Sequence, residues 1–324
     1  MSIEEFIEEW QNDGPCVSVH TSGSTGQPKP MLAEKARMRA SACMTCDYLG
    51  LQPGDTALLC MPLDFIAGKM MVVRALERQM KLLHVTPSNH PLKDVAEPVT
   101  FVAMVPSQVY CSLQEPEECD RLMAIRHLII GGGALSAELE SALQSHPGHV
   151  WSTYGMTETL SHVAMRRING TDRSPWYEPM PGVRISLSEE GCLVIDAPAV
   201  SPVTLTTNDM AEMHADGRHF RILGRKDNVI CSGGIKLQAE QIEEKLRPFI
   251  SQPLAITKRL DAKLGEAAIL AIEGDADEEA LRAICREHLT PYEIPRDILF
   301  VDQLPLTQTG KIARAELARK AIAT

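Results

Sequence analysis

A chain of 324 residues exceeds what one hydrophobic core ordinarily serves, so two domains are expected. Hydrophobic residues at 44% and charged residues at 23% are the balance of a globular enzyme, and aromatics at 4% argue against a base-stacking nucleic-acid platform. The net charge of −11, nearly all of it carried by the first 224 residues, repels nucleic acid and anionic membrane surfaces.

In chain order, the first element is an acidic amphipathic segment, with Ile3, Phe6, Ile7 and Trp10 at helical spacing. No basic leader or long apolar run accompanies it, so a cytoplasmic protein without a membrane span is expected. Cys16–Thr21 reads as a strand and Leu32–Leu49 as a helix. Thr56–Met61 reads as a strand and Ala67–Gln79 as a helix, followed by strands at Lys81–Thr86, Phe101–Val105 and His127–Ile130. A helix at Ser136–Gln144 and a strand at Val150–Tyr154 continue the alternation, which defines a layered α/β domain with a largely parallel sheet.

After Gly182 the pattern changes. Val183–Leu187 and Cys192–Ile195 flank a turn, and Asp216-Gly217 joins a second hairpin. Beyond Gly224, helices at Ala239–Leu246, Glu278–His288 and Ile312–Ala321 mix with strands at Ala267–Ile272 and Ile298–Val301. That is a small α+β domain, and the boundary is placed at 1–224 and 225–324. The nine cysteines form no framework, and the one C-x-x-C (Cys43, Cys46) has no second pair to complete a zinc site. Reduced, buried thiols are expected.

The sharpest local signal is Thr21-Ser22-Gly23-Ser24-Thr25-Gly26-Gln27-Pro28-Lys29, directly after a strand. Glycines let a backbone approach phosphate oxygens, hydroxyls donate hydrogen bonds, and lysine adds charge. The Walker ending is missing. By composition alone a flexible Ser/Gly turn and a phosphate loop fit equally well. As an ordered string it resembles the phosphate loop of the adenylate-forming superfamily, whose members include acyl-CoA ligases.

The resemblance extends through further motifs in order. Tyr154-Gly155-Met156-Thr157-Glu158-Thr159 is similar to the family's second signature, which implies that Tyr154 packs on adenine, Thr157 contacts the α-phosphate and Glu158 holds Mg²⁺. Gly131-Gly132-Gly133-Ala134 resembles the turn beside adenine, so Gly132, Gly133 and Ala134 join the nucleotide set. Thr206-Thr207-Asn208-Asp209 resembles the ribose-gripping segment, with Asn208 where glycine is usual. Gly224-Arg225-Lys226-Asp227 matches the domain junction, implying a ribose contact for Arg225 and a hinge at Asp227. Gly233 and Gly234 fall in the loop that lines the coenzyme A tunnel, and Lys311 takes the place of the catalytic lysine.

The resemblance implies a large layered α/β domain followed by a small mobile α+β domain. It also implies ATP and coenzyme A as co-substrates, Mg²⁺ as cofactor, and a small carboxylic acid as the remaining partner. The acid would attack the α-phosphorus of ATP, and the acyl-adenylate would then lose AMP to the thiol. Only 20 residues precede the phosphate loop, fewer than in typical members, so the acyl pocket is expected to be completed differently, for example in a homodimer. Two strings, Ile66-Ala67-Gly68-Lys69-Met70 and Glu158-Thr159-Leu160-Ser161-His162-Val163-Ala164, resemble those of o-succinylbenzoate–CoA ligases. That acid keeps a second carboxylate, for which Lys69 and His162 are candidates. A surface lysine and a core histidine explain the same two residues equally well. A carrier-protein-loading enzyme and a non-catalytic nucleotide-binding relative share the remaining motifs.

Overall fold

The computed structural model describes residues 1–20, 30–306 and 312–323. The chain forms two compact units. The first comprises Met1–Ser186, Val194–Leu205 and Met213–Arg221, and the second Leu187–Leu193, Thr206–Glu212 and Ile222–Thr324.

In the first unit, helix α1 (Ile3–Gln11) starts on a Ser2/Glu5 capping box and buries Phe6 and Trp10. Strands β1 (Cys16–His20) and β2 (Pro30–Glu34) pair antiparallel, with Val17 opposite Ala33 and Val19 opposite Met31. The sequence places residues 32–34 in a helix. Cross-strand pairing overrides that propensity, and α2 (Lys35–Leu49) begins only after it.

Strands β3 (Thr56–Leu59), β4 (Lys81–His84), β5 (Phe101–Met104), β6 (His127–Ile130), β7 (His149–Gly155), β8 (His162–Arg167) and β9 (Glu178–Pro179) form a seven-stranded sheet in the order β4-β3-β5-β6-β7-β8-β9. The pairings from β4 through β7 are parallel, and β8 and β9 continue antiparallel. Every residue of β5 and β6 is buried, as expected of parallel strands covered on both faces. Helices α3 (Ile66–Glu77), α4 (Pro106–Gln114), α5 (Pro116–Met123) and α6 (Ala137–Leu143) complete the layers. The sequence reading lacks α4 and α5, each of which starts on a proline that pre-sets the first helical φ.

Strands β10 (Arg184–Leu187), β11 (Cys192–Asp196), β12 (Leu205–Met213) and β13 (Phe220–Arg225) form a four-stranded sheet in that order. β12 and β13 are the arms of the hairpin expected around Asp216-Gly217, and β12 reaches back to Leu205 through residues, Thr206 to Met213, that are mostly polar.

In the second unit, β14 (Val229–Ser232) and β15 (Ile235–Gln238) form a hairpin, and β16 (Leu254–Asp261) pairs antiparallel with β17 (Gly265–Glu273), which pairs parallel with β18 (Asp297–Val301). Helices α7 (Ala239–Leu246) and α8 (Glu278–His288) bury Ile242, Leu246, Leu281 and Cys285 against this sheet. The last helix, α9 (Arg314–Ala323), starts two residues later than the sequence suggests. Arg314 Nη1 and Nη2 bond both oxygens of the buried Glu243, at 2.5 and 2.9 Å, and anchor that helix. The α/β class with a small α+β second body is therefore the observed one. All nine cysteines are free thiols, with Cys46, Cys60, Cys192 and Cys285 buried. No helix among the described residues is long and apolar enough to cross a membrane.

One buried group ties the first unit to pH. His127 is stacked on His149 with ring centroids 5.0 Å apart, and neither of its ring nitrogens has a hydrogen-bond partner among the described residues. Burial, then the charge of His149, pushes its pKa from 6.5 down to about 4. Between those values the unfolded chain holds a proton that the folded chain refuses. Stability present above about pH 6.5 is therefore lost as the pH falls toward 4. In urea titrations, His127→Leu is expected to flatten that acid decline by about 1–2 kcal/mol, allowing for solvent screening. An unchanged slope would mean that the imidazole is charged in the folded chain.

Candidate functional site

The carboxyl ends of parallel strands are where ligands collect in open α/β sheets. In the first unit those ends carry the sequence motifs. Beyond β6, Gly131 N donates to Met104 O at 3.1 Å, and Gly132, Gly133 and Ala134 follow as an exposed turn. A side chain at Gly131 would come within 2.5 Å of Thr153 Oγ1, so the turn lies tightly against β7.

β7 ends at Tyr154-Gly155. Tyr154 packs edge-on against Phe220 and Tyr177, with centroids 5.5 and 6.0 Å away. Tyr177 and Phe220 exchange both backbone hydrogen bonds, and the Tyr177 hydroxyl meets Ser152 Oγ at 2.8 Å. This aromatic wall suits a flat base. Tyr177 and Phe220 were missed in the sequence, where they stand 43 positions apart with no motif around them.

The loop after β7 is knitted by Thr159. Its buried hydroxyl accepts from Met156 N at 3.0 Å and donates to Ser161 O at 2.7 Å. The short 3₁₀ turn Thr157–Thr159 leaves Thr157 buried and the Glu158 carboxylate exposed. Leu160 closes the loop at φ +64 while buried, a conformation that costs a branched residue on the order of 1–3 kcal/mol. Gly155 makes the return possible, since any Cβ there would lie 2.2 Å from Ser161 O.

Beneath this loop lies a buried polar chain. Arg74, from α3, is 2% exposed, and its Nη2 donates to Ser161 Oγ at 2.5 Å. Ser161 Oγ is 3.4 Å from His162 Nδ1, and His162 Nε2 is 3.1 Å from Thr45 Oγ1, which in turn donates to Ser41 O at 3.1 Å. The Thr45 hydroxyl hydrogen is engaged with Ser41 O, so its oxygen accepts from Nε2–H, and Nδ1 is left as the acceptor for Ser161. His162 is therefore neutral; burial, then the charge of Arg74, holds its pKa well below 6.5. Burial also lowers Arg74, to about 10, which leaves it charged at neutral pH. No carboxylate among the described residues pairs with Arg74, and its Nε has no partner among them. The sequence reading missed Arg74. The available signal was a charged residue inside the apolar run Met70-Met71-Val72-Val73-Arg74-Ala75.

Lys69, the other candidate, is also buried, but it faces α1. Its Nζ lies 3.8 Å from Glu9 Oε2 and 4.9 Å from the centre of the Phe6 ring. Burial lowers its pKa, and Glu9 and Asp64 oppose that shift.

The second unit holds a different set. Arg225 Nη1 is 3.3 Å from Asp209 Oδ1, and Nη2 donates to Asp227 Oδ2 at 2.8 Å. Burial works against the Arg225 charge, yet Asp227 and Asp209 outweigh it and raise the pKa. Asp209 N donates to Thr207 Oγ1 at 3.0 Å, so Asn208 is accommodated inside β12 without a glycine. Asp227 is exposed in a 3₁₀ turn. Gly233 and Gly234 make the β14–β15 turn, at φ +58 and +85. The phosphate-loop residues Thr21, Ser22, Gly23, Ser24, Thr25, Gly26 and Lys29 lie outside the described residues, as does Lys311. The strands β1 and β2 that flank the first segment are paired up to His20 and Pro30, and Leu306 and Ile312 bridge antiparallel beside the second.

The model of the AMP-binding enzyme family matches residues 4–198, and that of the AMP-binding enzyme C-terminal domain matches residues 256–311. The chain belongs to the AMP-binding enzyme family. It is 26% identical to the 2-succinylbenzoate–CoA ligase of Bacillus mycoides (strain KBAB4), over 98% of this chain and 72% of the relative. The solved acyl-CoA synthetase (AMP-forming)/AMP-acid ligase II-like protein from Dyadobacter fermentans DSM 18053 is 36% identical with a TM-score of 0.66, covering 98% of this chain and 92% of that one. The o-succinylbenzoate CoA synthetase from Bacillus subtilis, solved with its acyl-adenylate intermediate, shares the fold at 22% identity and a TM-score of 0.78, over 93% of this chain and 68% of that one. That membership and these relatives make the chain an acid–CoA ligase, as its motifs imply.

The knitted loop is open to test. Thr159→Val removes the hydroxyl that bridges Met156 and Ser161 and leaves Met156 N unpaired. The expected cost is about 1–3 kcal/mol of stability. ATP–pyrophosphate exchange should fall about tenfold or more as Thr157 and Glu158 lose their placement. Full exchange activity in the valine variant would show that the loop is held by other means.

Proposed function

We propose that the chain activates 2-succinylbenzoate at its aliphatic carboxylate as the acyl-adenylate and passes the acyl group to coenzyme A. The observation that carries this reading is Arg74, a buried cation with no carboxylate of its own among the described residues. Removing a guanidinium from water is costly unless a counter-charge repays it. An acid with a second carboxylate supplies that charge, with Ser161 as the intermediate donor and neutral His162 behind it. Lys69 is left out of the proposed pocket because Glu9 already answers its charge. The names of the curated relatives support the same acid.

The remaining roles follow from the chemistry of the residues present. Tyr154, with Phe220 and Tyr177, forms the wall for adenine, beside Gly132, Gly133 and Ala134. Asp209 accepts from the ribose hydroxyls, and Arg225, paired to it, steadies that carboxylate. Thr157 donates to the α-phosphate. The exposed Glu158 is a hard oxygen ligand, which fits the few carboxylates Mg²⁺ needs beside substrate phosphates. When bound, that ion supplies charge neutralisation at the phosphates. Thr21 to Lys29 cradle the phosphates by hydroxyl and backbone donors. Lys311 stabilises the charge that develops as the acid oxygen attacks and pyrophosphate leaves. Residues 225–324 act as a small mobile body hinged at Asp227, and the Gly233-Gly234 turn lines the path of the pantetheine thiol. A cytoplasmic protein and a homodimer are part of the same proposal.

Two measurements test this reading. A site built to pair a carboxylate rejects the analogue lacking it strongly, because its own polar groups are then left unpaired. With 4-oxo-4-phenylbutyrate, which lacks the ring carboxylate, kcat/KM should be on the order of 100-fold lower than with 2-succinylbenzoate. Arg74→Met should erase most of that difference. Equal use of the two acids by the unmutated chain would remove the substrate assignment and leave the ligase class intact.

Lys311→Ala should slow adenylate formation roughly 100- to 1,000-fold. Consumption of pre-formed acyl-adenylate with coenzyme A should be nearly unchanged. Equal losses in both half-reactions would remove Lys311 from its assigned step.

A further inference from the structure

The hairpin Met213–Arg221 carries a cluster that the ligase chemistry does not use. His214, Asp216 and His219 each offer one donor atom, and these atoms lie within 4.8 Å of one another. His214 Nδ1 is 3.1 Å and His219 Nδ1 2.5 Å from the same oxygen, Asp216 Oδ2. The other oxygen, Oδ1, is occupied by the turn itself: it accepts from Arg218 N at 2.8 Å and His219 N at 3.0 Å. His214 N donates to His219 O at 2.8 Å, so the two imidazoles stand opposite each other on a fixed register, with Gly217 at φ +70 completing the turn.

The turn's backbone uses Oδ1 and, at 3.4 Å, His214 Nδ1, which accepts from Asp216 N; it does not use Oδ2. Convergence of two imidazoles on Oδ2 is a separate feature, and it sets three donors around one point. We infer that this hairpin tip is a binding site for a first-row divalent cation of the zinc type. Two imidazole nitrogens and one carboxylate oxygen suit Zn²⁺, Ni²⁺ or Cu²⁺, whereas Mg²⁺ and Ca²⁺ select oxygen. Bonds of roughly 2.1 Å set tetrahedral donors about 3.4 Å apart, which modest side-chain rotations reach from the observed spacing. All three side chains are between 32% and 44% exposed, so water completes the coordination shell and entry is open. The nearby Arg218 charge is answered by Glu178 at 2.9 Å.

The neighbours supply both a consequence and a reporter. Phe220 follows His219 directly and packs on Tyr154, so a bound ion would clamp the register of the strand that supplies the aromatic wall. Trp176 lies 4.9 Å from the His214 ring, within range for quenching by a paramagnetic ion.

The test uses the full-length, tag-free chain, stripped with a chelator and kept in excess Mg²⁺. Competition against a chromophoric chelator should show one Zn²⁺ bound per chain. Cu²⁺ should quench tryptophan emission, and Trp176→Phe should remove most of that quenching while leaving Zn²⁺ binding in place. The pair His214→Gln and His219→Gln should weaken Zn²⁺ binding by on the order of 100-fold. Asp216→Asn keeps the Oδ1 acceptor for the turn and should weaken binding as well, independently of any effect of the glutamines on folding. Zn²⁺ affinity in the glutamine and asparagine variants equal to that of the unmutated chain, quenching that survives the histidine changes, or displacement of Zn²⁺ by Mg²⁺ would overturn the assignment.

Discussion

The close backbone approach at Gly155 is the constraint on which the functional face of the first unit depends. β7 runs parallel to β6, and the chain must then return antiparallel as β8 within a few residues. The return brings Ser161 O to the place where a Cβ of residue 155 would sit, so only glycine fits. It also holds Leu160 at a positive φ that the Thr159 hydroxyl bonds over-determine. Strain of this kind persists where surrounding bonds fix it, and here it fixes two things at once. Tyr154, Thr157 and Glu158 are presented on the outgoing limb, and Ser161 and His162 on the returning one.

The returning limb explains why a cation can be kept in the interior. Arg74 is not neutralised by a described carboxylate. A directed chain of donors and acceptors runs from the charged Arg74 through Ser161, His162 and Thr45 to Ser41, and the groups beyond Arg74 are in their neutral forms. A fully satisfied polar network is rigid, and a single missing partner in it is expensive. The unpartnered Arg74 Nε marks the place where that network is incomplete. The contrast with Lys69, five residues earlier on α3, is one of direction. Lys69 turns toward α1 and finds Glu9, while Arg74 turns toward the loop after β7.

The second unit uses charge differently. Asp209, Arg225 and Asp227 form a linked set in which one guanidinium serves two carboxylates. Bidentate recognition of Glu243 by Arg314 fixes the start of α9 in the same way. Planar guanidinium forks suit both tasks, because they hold geometry as well as charge.

What the sequence by itself determined was the alternation of strands and helices, the change to hairpins after Gly182, and the family motifs. Each of these is local: periodicity, turn chemistry and short ordered strings survive without knowledge of distant neighbours. The β2 strand at Pro30–Glu34 was hidden because its pairing partner, β1, overrides helical propensity. The aromatic wall was hidden because Tyr177 and Phe220 join Tyr154 only across strand pairings. Lys69 and Arg74 were both charges in an apolar helix, and nothing in their spacing says which one has a partner. Only the tertiary structure decided that, since burial and pairing are properties of what packs against a side chain and not of its neighbours in the chain.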